Sequence, residues 1–484
     1  MTAFLFAVAP AYAKPPQPVP WPTGAASPTP HLLYYGGPVM AFAQNVEVMW
    51  GTHVEAASTT RISDFLDAMA RAGPANPYNV ALQYGTQGVA PVSSLDASSN
   101  QPLTNQSDYL GQRTIAPLTC SGTASCTVHD SDLVKELDRQ IDAGALPTPR
   151  QAFGGPVTEY YVLFPDNVRV CADDAETACS AEPHRVFCAY HGTAYHDGNT
   201  SRPFTYAVIP THAVAASGAC GLNANYLDNE TSYVSHELVE SVTDPEVGLA
   251  VGLAPPLAWY DPQGSNGEIA DICNGISTPL TIAGTSFVVQ EIWSNLLGVC
   301  VATWTGHESL APDFTSSTAG LTTGFDATAS SSPNGGITSY RWEFGDGTSG
   351  SGPTPSHTYA AGGTYDVTLI VTDGLNTSAR RLASVTLAGP PAPPPPPPPP
   401  PAPSPPPPPP PAFTPPRCLV PNVLGRLLPA AKARIRARHC RIGRIGYKHS
   451  SVRKKNRVLA ESPRPGRRLR NGSRINLTVG RGRR

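Results

Sequence analysis

The sequence predicts a multidomain protein: an α/β or α+β domain, a small β-sandwich, a proline-rich linker and a short basic α+β module. First, the chain has 484 residues, 40% of them apolar, which exceeds what one hydrophobic core supports. Second, 21 of its 55 prolines fall within the 27 positions 390–416. Third, the sequence after this tract changes to a strongly basic composition. The predicted boundaries are 31–305 for the first domain, 311–388 for the sandwich, 389–416 for the linker and 417–484 for the basic module.

The first residues predict export. A short apolar run from Ala3 to Ala9 precedes an A-x-A cleavage sequence that ends at Ala13. We therefore expect residues 1–13 to be a signal peptide and residues 14–30 a disordered leader. No Lys or Arg precedes the apolar run, so either the natural chain starts further upstream, which we favour, or the run is not a signal peptide. No later run of 18 apolar residues occurs, so no transmembrane segment is predicted.

Helical and strand patterns alternate in the first domain. Apolar runs and period-2 alternation predict strands at Asn45–Trp50, Glu159–Phe164, Phe204–Ile209, Thr285–Val289 and Gly298–Thr303. A 3.6-residue periodicity predicts helices at Thr59–Arg71, Asp130–Ala143 and Glu230–Val242. Pro245 stops the third helix. This interleaving predicts an α/β or α+β domain.

The cysteines predict disulfide bonds formed in an oxidising compartment. The chain contains ten, eight in the first 300 residues and two in the basic module, without any C-x-x-C pair: Cys120, Cys126, Cys171, Cys179, Cys188, Cys220, Cys273, Cys300, Cys418 and Cys440. Cys120–Cys126 and Cys171–Cys179 would close short loops. Cys418–Cys440 would pin the first strand of the basic module to the end of its helix. The remaining connectivity is open.

The strongest chemical motif is Ser235–Pro245 (SHELVESVTDP) on the third helix. His236 and Glu240 are four residues apart and share a helix face. H-E-x-x-E is a variant of the zincin pattern H-E-x-x-H, in which the i and i+4 residues hold Zn²⁺ and the intervening Glu is the general base. This predicts His236 and Glu240 as ligands, Glu237 as the catalytic base, and one helix side facing the core with the other facing a cleft.

A third ligand is not evident from the motif. His191 is the first candidate, followed by Asp244, Glu268 and Asp271. A set this rich in carboxylates also suits Ca²⁺ or Mn²⁺, although Zn²⁺ is the cation that the motif favours. The structural alternative is that Asp244 caps the helix, Glu237 and Glu240 are solvated, and His236 is hydrogen-bonded locally.

Charge is divided unequally along the chain. Residues 417–484 carry 21 Lys and Arg and one acid, Glu461, a net charge of +20. Subtraction from the totals of 34 and 36 leaves 13 basic and 35 acidic residues upstream, a net charge of −22. The module is therefore expected to bind a polyanion such as an anionic wall polymer. Nucleic acid is not expected, because Tyr447 is the module's sole aromatic residue and the chain is exported.

Residues 311–388 are rich in Ser, Thr and Gly, with short alternating strands typical of a β-sandwich. Ser339–Thr348 (SYRWEFGDGT), Ser356–Tyr359 (SHTY) and Gly363–Leu369 (GTYDVTL) resemble the PKD (polycystic kidney disease) repeat. We expect Trp342 to fill the sandwich and the G-D-G turn to need positive φ. The family implies an Ig-like extracellular spacer, which we favour, or a contact with glycan or protein.

The basic module resembles the PASTA domain. The resemblance rests on Val420–Gly425 (VPNVLG), a predicted helix from Leu428 to Arg438, Ser462–Gly466 (SPRPG) and Asn476–Gly480 (NLTVG). The family implies peptidoglycan recognition by an accessory module. Because this copy is so basic, electrostatic adhesion to anionic wall polymer is an equal alternative. The linker before it is predicted to be a polyproline II stalk of about 80 Å, at about 3.1 Å per residue.

The first domain as a whole resembles the EXORDIUM-like (phosphate-induced protein) family over residues 31–305. The motifs follow one another in the family's order: YYGGP at 34–38, VEVMWG at 46–51, RISDFL at 61–66, FCAYH at 187–191, YAVIP at 206–210, the Ser235–Pro245 segment, EIADIC at 268–273 and QEIWSN at 290–295. The resemblance implies an extracellular, wall-associated protein, linked in plants to growth and phosphate responses, without a settled biochemical activity.

Two functional hypotheses follow, of which the first is favoured and the second is the alternative. In the first, the protein is a secreted, cell-wall-associated envelope or adhesion protein anchored by its basic module. In the second, it is a secreted zinc-dependent hydrolase of the zincin-like peptidase type, in which Glu237 activates water bound to a metal between His236 and Glu240. The domain layout serves both, so the sequence leaves open whether the protein is an enzyme.

Overall fold

The computed structural model describes residues 30–92, 101–181, 185–199, 202–216, 220–221, 223–250, 253–262, 267–305, 310–333, 336–388 and 416–482. The predicted signal peptide, nearly all of the leader and nearly all of the linker lie outside these residues. The chain divides into two compact units, Met1–Pro391 and Ala392–Arg484. Among the described residues, no helix combines the length and apolar character needed to cross a membrane.

A five-stranded sheet organises the first domain, with strand order β3-β2-β7-β10-β9. Its strands are β2 Ala43–Trp50, β3 Ser107–Ile115, β7 Thr158–Phe164, β9 Tyr190–Tyr195 and β10 Pro203–Pro210. All neighbours run parallel except β9, which pairs antiparallel with β10 at the edge. Because parallel neighbours need crossover connections, the helices cover both faces of the sheet.

The two faces bury separate apolar cores. The helices are α1 Ala56–Ala72, α2 Asp130–Asp142, α3 His212–Ala215 and α4 Tyr226–Thr243. Side chains alternate across a strand, so Tyr161 and Leu163 of β7 pack with α1 and α4, whereas Val162 and Phe164 pack with α2 on the opposite face. The interleaved sequence pattern therefore produces a three-layer arrangement of mixed α/β content.

Short strand pairs and 3₁₀ helices complete this domain. The remaining strands are β1 Leu33–Tyr34, β4 Cys126–His129, β5 Gln151–Ala152, β6 Gly155–Pro156, β8 Val168–Cys171, β11 Trp259–Tyr260, β12 Ser277–Ile282, β13 Thr285–Gln290, β14 Ile292–Ser294 and β15 Val299–Val301. The 3₁₀ helices are Gly73–Ala75, Val80–Tyr84, His196–Gly198, Val247–Leu249 and Asp271–Cys273. Hairpin β12–β13 packs against α4. Together with the turn at Asp271–Cys273, it forms one wall beside the middle of this helix.

The ten cysteines form five disulfides, which confirms the predicted pairings. They are Cys120–Cys126, Cys171–Cys179, Cys188–Cys220, Cys273–Cys300 and Cys418–Cys440. The sequence left Cys188–Cys220 and Cys273–Cys300 open. They close loops with sequence separations of 32 and 27 residues.

Residues 311–388 form the predicted β-sandwich. Its strands are β16 Thr315–Ala319, β17 Thr322–Asp326, β18 Ile337–Glu343, β19 Ser349–Ser351, β20 Ser356–Thr358, β21 Gly363–Asp373 and β22 Ser378–Leu387. They form a three-stranded sheet, β16-β17-β20, and a four-stranded sheet, β19-β18-β21-β22. Trp342 fills the core with no exposed surface, and Gly345 and Gly347 adopt φ of 84° and 85°, as predicted.

The sandwich packs directly on the first domain, within the same compact unit. Arg380 of β22 forms a two-pronged ion pair with Asp108 of β3, with N–O distances of 2.6 and 2.9 Å. The Arg380 guanidinium also lies 4.2 Å from the centre of the Phe42 ring, and Gln106 donates to the Arg380 carbonyl. Burial raises the pKa of Asp108, but Arg380 outweighs it and leaves this pKa below its ordinary value.

We expect Arg380→Ala to destabilise this unit by about 2 to 3 kcal/mol, somewhat less than for a fully buried pair because Asp108 keeps some solvent contact. The matched control is Arg381→Ala, which removes an exposed pair with Asp313 and should cost at most about 1 kcal/mol. Urea unfolding midpoints measure both. Because the folded-state pKa of Asp108 is lowered, the contribution is present above the ordinary Asp pKa and lost as pH falls through the folded value. Equal losses of stability in Arg380→Ala and Arg381→Ala would contradict the view that the Arg380–Asp108 pair stabilises this unit more than an exposed pair does.

Over its described residues, 416–482, the second unit has one α-helix, one 3₁₀ helix and two small sheets. Its elements are β23 Cys418–Leu419, α5 Leu428–Arg436, β24 Arg441–Lys448, the 3₁₀ helix Val452–Lys454, β25 Val458–Ser462, β26 Arg468–Leu469 and β27 Arg474–Gly480. The helix ends two residues earlier than predicted. Every Lys and Arg among residues 416–482 is exposed except Lys432, which is partly buried. The predicted positive surface is therefore open to solvent.

Candidate metal centre

Helix α4 carries the H-E-x-x-E motif through the middle of the domain. The Asn225 side chain accepts from the Leu227 N–H and caps the first turn, and Asp244 occupies the C-cap before Pro245. The prediction that Asp244 caps the helix is confirmed. The alternative of solvated carboxylates is wrong, because Glu237 and Glu240 are each 3% exposed. Elements on both sides of the helix enclose them. The predicted cleft beside the helix stays a prediction.

Helix geometry puts Glu240 between its two neighbours in the motif. Successive helix residues rotate by about 100°, so Glu240 projects about 40° from His236 and about 60° from Glu237. The two carboxylate oxygens of Glu240 consequently face different residues. Oε1 faces His236, and Oε2 faces His191 of strand β9.

The first group of donors is His236, Glu240 and Asp271, and one donor atom from each lies within 4.8 Å of the others. His236 Nε2 is 3.0 Å from Glu240 Oε1 and 3.6 Å from Asp271 Oδ1. Ligands of a tetrahedral Zn²⁺ at about 2.0–2.1 Å are roughly 3.4 Å apart. Small side-chain rotations would therefore bring these three donors to a common cation, which makes Asp271 the candidate for the third ligand that the motif lacked.

The second group is His191, Glu237 and Glu240, also within 4.8 Å of one another. His191 Nδ1 is 3.5 Å from both Glu237 Oε2 and Glu240 Oε2. The sequence made His191 the first candidate to join His236. In the structure it instead meets the opposite oxygen of Glu240, because β9 and the Asp271 turn approach α4 from different sides.

Gln290 of β13 determines which ring nitrogen of His236 carries the proton. Its Nε2 donates to the Ala270 carbonyl at 2.6 Å, so its Oε1 is the acceptor that faces His236 Nδ1 at 3.0 Å. His236 Nδ1 therefore carries hydrogen. In the neutral ring, the Nε2 lone pair then points towards Glu240 and Asp271, as a metal-binding histidine requires.

Glu268 and Asp244 surround the second group without joining either set. Glu268 Oε1 lies 3.5 Å from His191 Nε2, the ring nitrogen turned away from Glu240. Asp244 Oδ1 accepts from the Ala258 N–H at 2.9 Å. Of the six predicted ligands, the structure thus gathers four into the two groups and puts Glu268 and Asp244 around them.

Glu159 of β7 is a further buried acid next to the centre. Its oxygens accept from Ser241 at 2.6 Å and Tyr161 at 2.8 Å. Burial raises its pKa to about 7. Neither Glu159 nor Gln290 belongs to a motif that predicted this centre. A glutamate inside the otherwise apolar strand Glu159–Phe164 was the available signal for the first, but Gln290 offered none.

Electrostatics show that the centre lacks balancing positive charge. Burial raises the pKa of Glu237, and burial together with Glu240 raises the pKa of Glu268 and Asp271 well above their ordinary values. Burial opposes protonation of His191 and His236, yet the carboxylates outweigh it and raise both pKa values. Burial also raises the pKa of Glu240, but the two histidines outweigh it and lower that pKa to about 2. These opposed pKa shifts are those of a donor set rich in carboxylates, from which a bound cation would displace protons.

Several polar atoms of the centre are buried without a hydrogen-bond partner among the described residues: His191 Nε2, Glu237 Oε2, Asp244 Oδ2 and Glu268 Oε1. Leaving such atoms unsatisfied is costly, so native proteins rarely do so. His236 has the most exposed side chain of the donors, at 12%, against 1% for His191. The first group therefore lies nearer to solvent than the second.

Two parts of the chain match known families. Residues 311–387 match the PKD domain and residues 419–481 match the PASTA domain. This confirms both predicted resemblances, and both domains are typical of extracellular or cell-wall proteins. Together they cover less than a third of the chain. Neither reaches the first domain, so its resemblance to the EXORDIUM-like family stays a prediction.

Known proteins and structures match the chain only in part. A 67-residue segment is 37% identical to collagenase ColA of Bacillus cereus, covering 14% of this chain and 7% of that protein. The chain thus spans less than a tenth of this relative. The PKD1 domain of Vibrio anguillarum Epp is 28% identical, covering 17% of this chain and 99% of that one, with a TM-score of 0.17.

A third match is broader but weaker. OgpA of Akkermansia muciniphila is 11% identical, covering 75% of this chain and 97% of its own, with a TM-score of 0.21. Neither structural likeness reaches a TM-score that bears on function.

Proposed function

We propose that this protein is an extracellular, cell-wall-associated, metal-dependent hydrolase whose reaction centre is the buried histidine–carboxylate group on helix α4. One observation carries the proposal. His236, Glu240 and Asp271 converge from two elements with donor spacing that suits one cation, amid more buried carboxylates than the histidines can neutralise. Buried charges of this kind are normally paired or bound to metal.

The donor chemistry favours a first-row transition cation, Zn²⁺ first and Mn²⁺ second. Imidazole nitrogen suits Zn²⁺, whereas Ca²⁺ takes six to eight oxygen ligands. Gln290 holds His236 in the tautomer that presents a lone pair to the cation. Three protein ligands leave a fourth position for water or substrate, which is the arrangement of catalytic rather than structural zinc sites.

Such a cation lowers the pKa of a bound water and polarises a substrate carbonyl, which supports hydrolysis of amide or ester bonds. The water proton needs a nearby acceptor. The zincin pattern assigns that role to Glu237. Substrates at the cell wall that offer such bonds are peptide cross-links and proteins of the envelope.

The first test measures whether the cation keeps an open ligand position, which needs no knowledge of the substrate. We expect the zinc-loaded full chain to bind acetohydroxamate, a bidentate zinc ligand, in isothermal titration calorimetry. His236→Ala should abolish this binding, while His53→Ala, an exposed histidine of the same domain, should leave it unchanged. Zinc bound without any hydroxamate binding would contradict a hydrolase and indicate a closed structural site.

A second candidate is a non-enzymatic envelope or adhesion protein in which the cation is structural. The depth of the centre favours it, since no donor side chain exceeds 12% exposure. It predicts zinc binding and zinc-dependent stability without hydroxamate binding and without release of peptides from cell walls. The same titration therefore separates the two functions.

The PASTA module is proposed to hold the protein on anionic wall polymer. We expect retention on purified cell walls to fall at least tenfold between 0.05 and 0.5 M NaCl, because screening shortens the range of charge interactions. Walls stripped of teichoic acid serve as the control and should retain little protein at low salt. Retention that changes neither with salt concentration nor on removal of teichoic acid would instead indicate specific peptidoglycan recognition.

The relationship of the first domain to the EXORDIUM-like family is part of this proposal. Several segments that carry the resemblance supply the centre. FCAYH at 187–191 ends at His191, EIADIC at 268–273 contains Glu268 and Asp271, and QEIWSN begins at Gln290. The resemblance also implies that plant members lack the H-E-x-x-E residues on the matching helix, so a purified plant member is expected to bind no zinc at this position.

A further inference from the structure

We propose that the centre binds two divalent cations bridged by the carboxylate of Glu240. This rests on the proposed metal-dependent function and deepens it. An outer cation is held by His236, Asp271 and Glu240 Oε1. An inner cation is held by His191, Glu237 and Glu240 Oε2. Glu237 then acts as a ligand of the inner cation rather than as a free base.

The geometry supplies two complete donor sets that share one residue. Each set contains one imidazole and two carboxylates with donor atoms within 4.8 Å of one another. Glu240 Oε1 is 3.0 Å from His236 Nε2, and Glu240 Oε2 is 3.5 Å from His191 Nδ1. A carboxylate with one oxygen on each of two cations fits the metal separation of about 3.5–4 Å found in two-metal hydrolytic sites.

Charge balance favours two cations over one. The ligand carboxylates Glu237, Glu240 and Asp271, with Glu268 beside His191, carry four negative charges when ionised. With neutral histidines, two divalent cations balance these four charges, whereas one balances only two, and Asp244 and Glu159 are further buried acids beside the centre. An uncompensated buried charge is strongly destabilising.

Unpartnered atoms mark the inner position independently of the motif. Glu237 Oε2 has no hydrogen-bond partner among the described residues, although Glu237 is 3% exposed. It faces His191 Nδ1 at 3.5 Å, too far for a good hydrogen bond. A cation between these atoms would satisfy both.

An oxygen also lies opposite the ring nitrogen of each histidine that faces away from Glu240, and only that of His236 is within hydrogen-bond distance. Gln290 Oε1 accepts from Nδ1 of His236 at 3.0 Å, and Glu268 Oε1 faces Nε2 of His191 at 3.5 Å. Metal-binding histidines characteristically have an amide, carbonyl or carboxylate partner there, which fixes the tautomer and raises ligand basicity. Gln290 is therefore a positioning residue for the outer ligand His236, and Glu268 is placed to become one for His191 if their separation shortens.

The two positions differ in depth. The His191 side chain is 1% exposed and that of Glu237 is 4% exposed, compared with 12% for His236 and 9% for Asp271. The outer cation is therefore the one that can meet substrate. The inner cation lies behind it and orients the shared carboxylate.

Zinc content of the full chain, measured by mass spectrometry after dialysis, tests the two-cation centre. We expect two Zn²⁺ per wild-type chain and two for His53→Ala. We expect one for His236→Ala and one for His191→Ala, and a loss of both for Glu240→Gln. Glu237→Gln, the conservative variant, should retain only the outer Zn²⁺, whereas a free base at this position would leave zinc content unchanged. Circular dichroism of each variant checks that it is folded.

Zinc content distinguishes failure of the two-cation centre from failure of the proposed function. One Zn²⁺ in the wild type, kept by His191→Ala and Glu237→Gln but lost in His236→Ala, overturns the second cation and leaves the proposed function standing. No Zn²⁺ in the wild type overturns both. Should His191→Ala fail to fold, zinc content of Glu237→Gln decides the inner site.

Discussion

Removal of metal by EDTA should lower the thermal midpoint of the first unit by about 5 to 10 °C. The reason is linkage: a cation that binds only the folded state stabilises it by about 4 kcal/mol at a thousand times its dissociation constant. One kcal/mol shifts the midpoint of a domain of 150–250 residues by about 2 to 4 °C, and less for a larger unit. Without cations, the carboxylates around Glu240 must take up protons or repel one another.

Differential scanning calorimetry of the full chain with and without EDTA measures this shift. Readdition of Zn²⁺ should restore the midpoint, and readdition of Ca²⁺ should not. The Glu240→Gln variant serves as the control, because a chain that holds no cation at the centre should show no response to EDTA. An EDTA effect of equal size in Glu240→Gln would place the stabilising metal elsewhere.

Loss of the disulfides that flank the centre should have an effect of similar size. Cys188 precedes His191 by three residues, and Cys273 follows Asp271 by two. Cross-links that close loops of about 30 residues stabilise by about 3 to 4 kcal/mol in the chain-entropy model. They also anchor the segments that carry His191 and Asp271, the proposed ligands, beside α4. We therefore expect the Cys188→Ser/Cys220→Ser and Cys273→Ser/Cys300→Ser double variants each to lose about 3 kcal/mol of stability.

In these double variants, zinc affinity should fall together with the free energy of unfolding. We expect a loss of about ten- to a hundredfold in affinity, the range seen when a residue that positions a metal ligand is removed. The chain offers a matched control in Cys418–Cys440, which lies in the second unit. Its double serine variant should leave both zinc affinity and the unfolding of the first unit unchanged. Unaltered zinc affinity in the Cys188→Ser/Cys220→Ser and Cys273→Ser/Cys300→Ser variants would show that these disulfides do not position the ligands.

Local patterns in the sequence predicted much of the fold. Alternation from Asn45 to Trp50 and the 3.6-residue period from Thr59 to Arg71 correspond to β2 and α1, each extended by a few residues. The W-x-F-G-D-G run predicted the buried Trp342 and the positive φ of Gly345. These features depend on neighbours along the chain, which a sequence displays directly.

The centre was predicted only in part because its geometry depends on distant segments. The motif identified His236 and Glu240, and nearby acids suggested Asp271. That His191 meets the opposite oxygen of Glu240 depends on β9 lying antiparallel at the edge of the sheet, a pairing set by tertiary packing. Gln290 acts through a hydrogen bond to His236 across 54 positions of the chain, which local pattern does not reveal.

An anomalous difference map at the zinc edge, from crystals of the full chain grown with Zn²⁺, tests metal binding at this centre most directly. We predict two peaks about 3.5–4 Å apart, one within bonding distance of His236 and Asp271 and one within bonding distance of His191 and Glu237, both next to Glu240. A single peak at His236 would keep the metal centre and remove the second cation. No peak beside Glu240 at saturating zinc would contradict metal binding there and, with it, the proposed hydrolase.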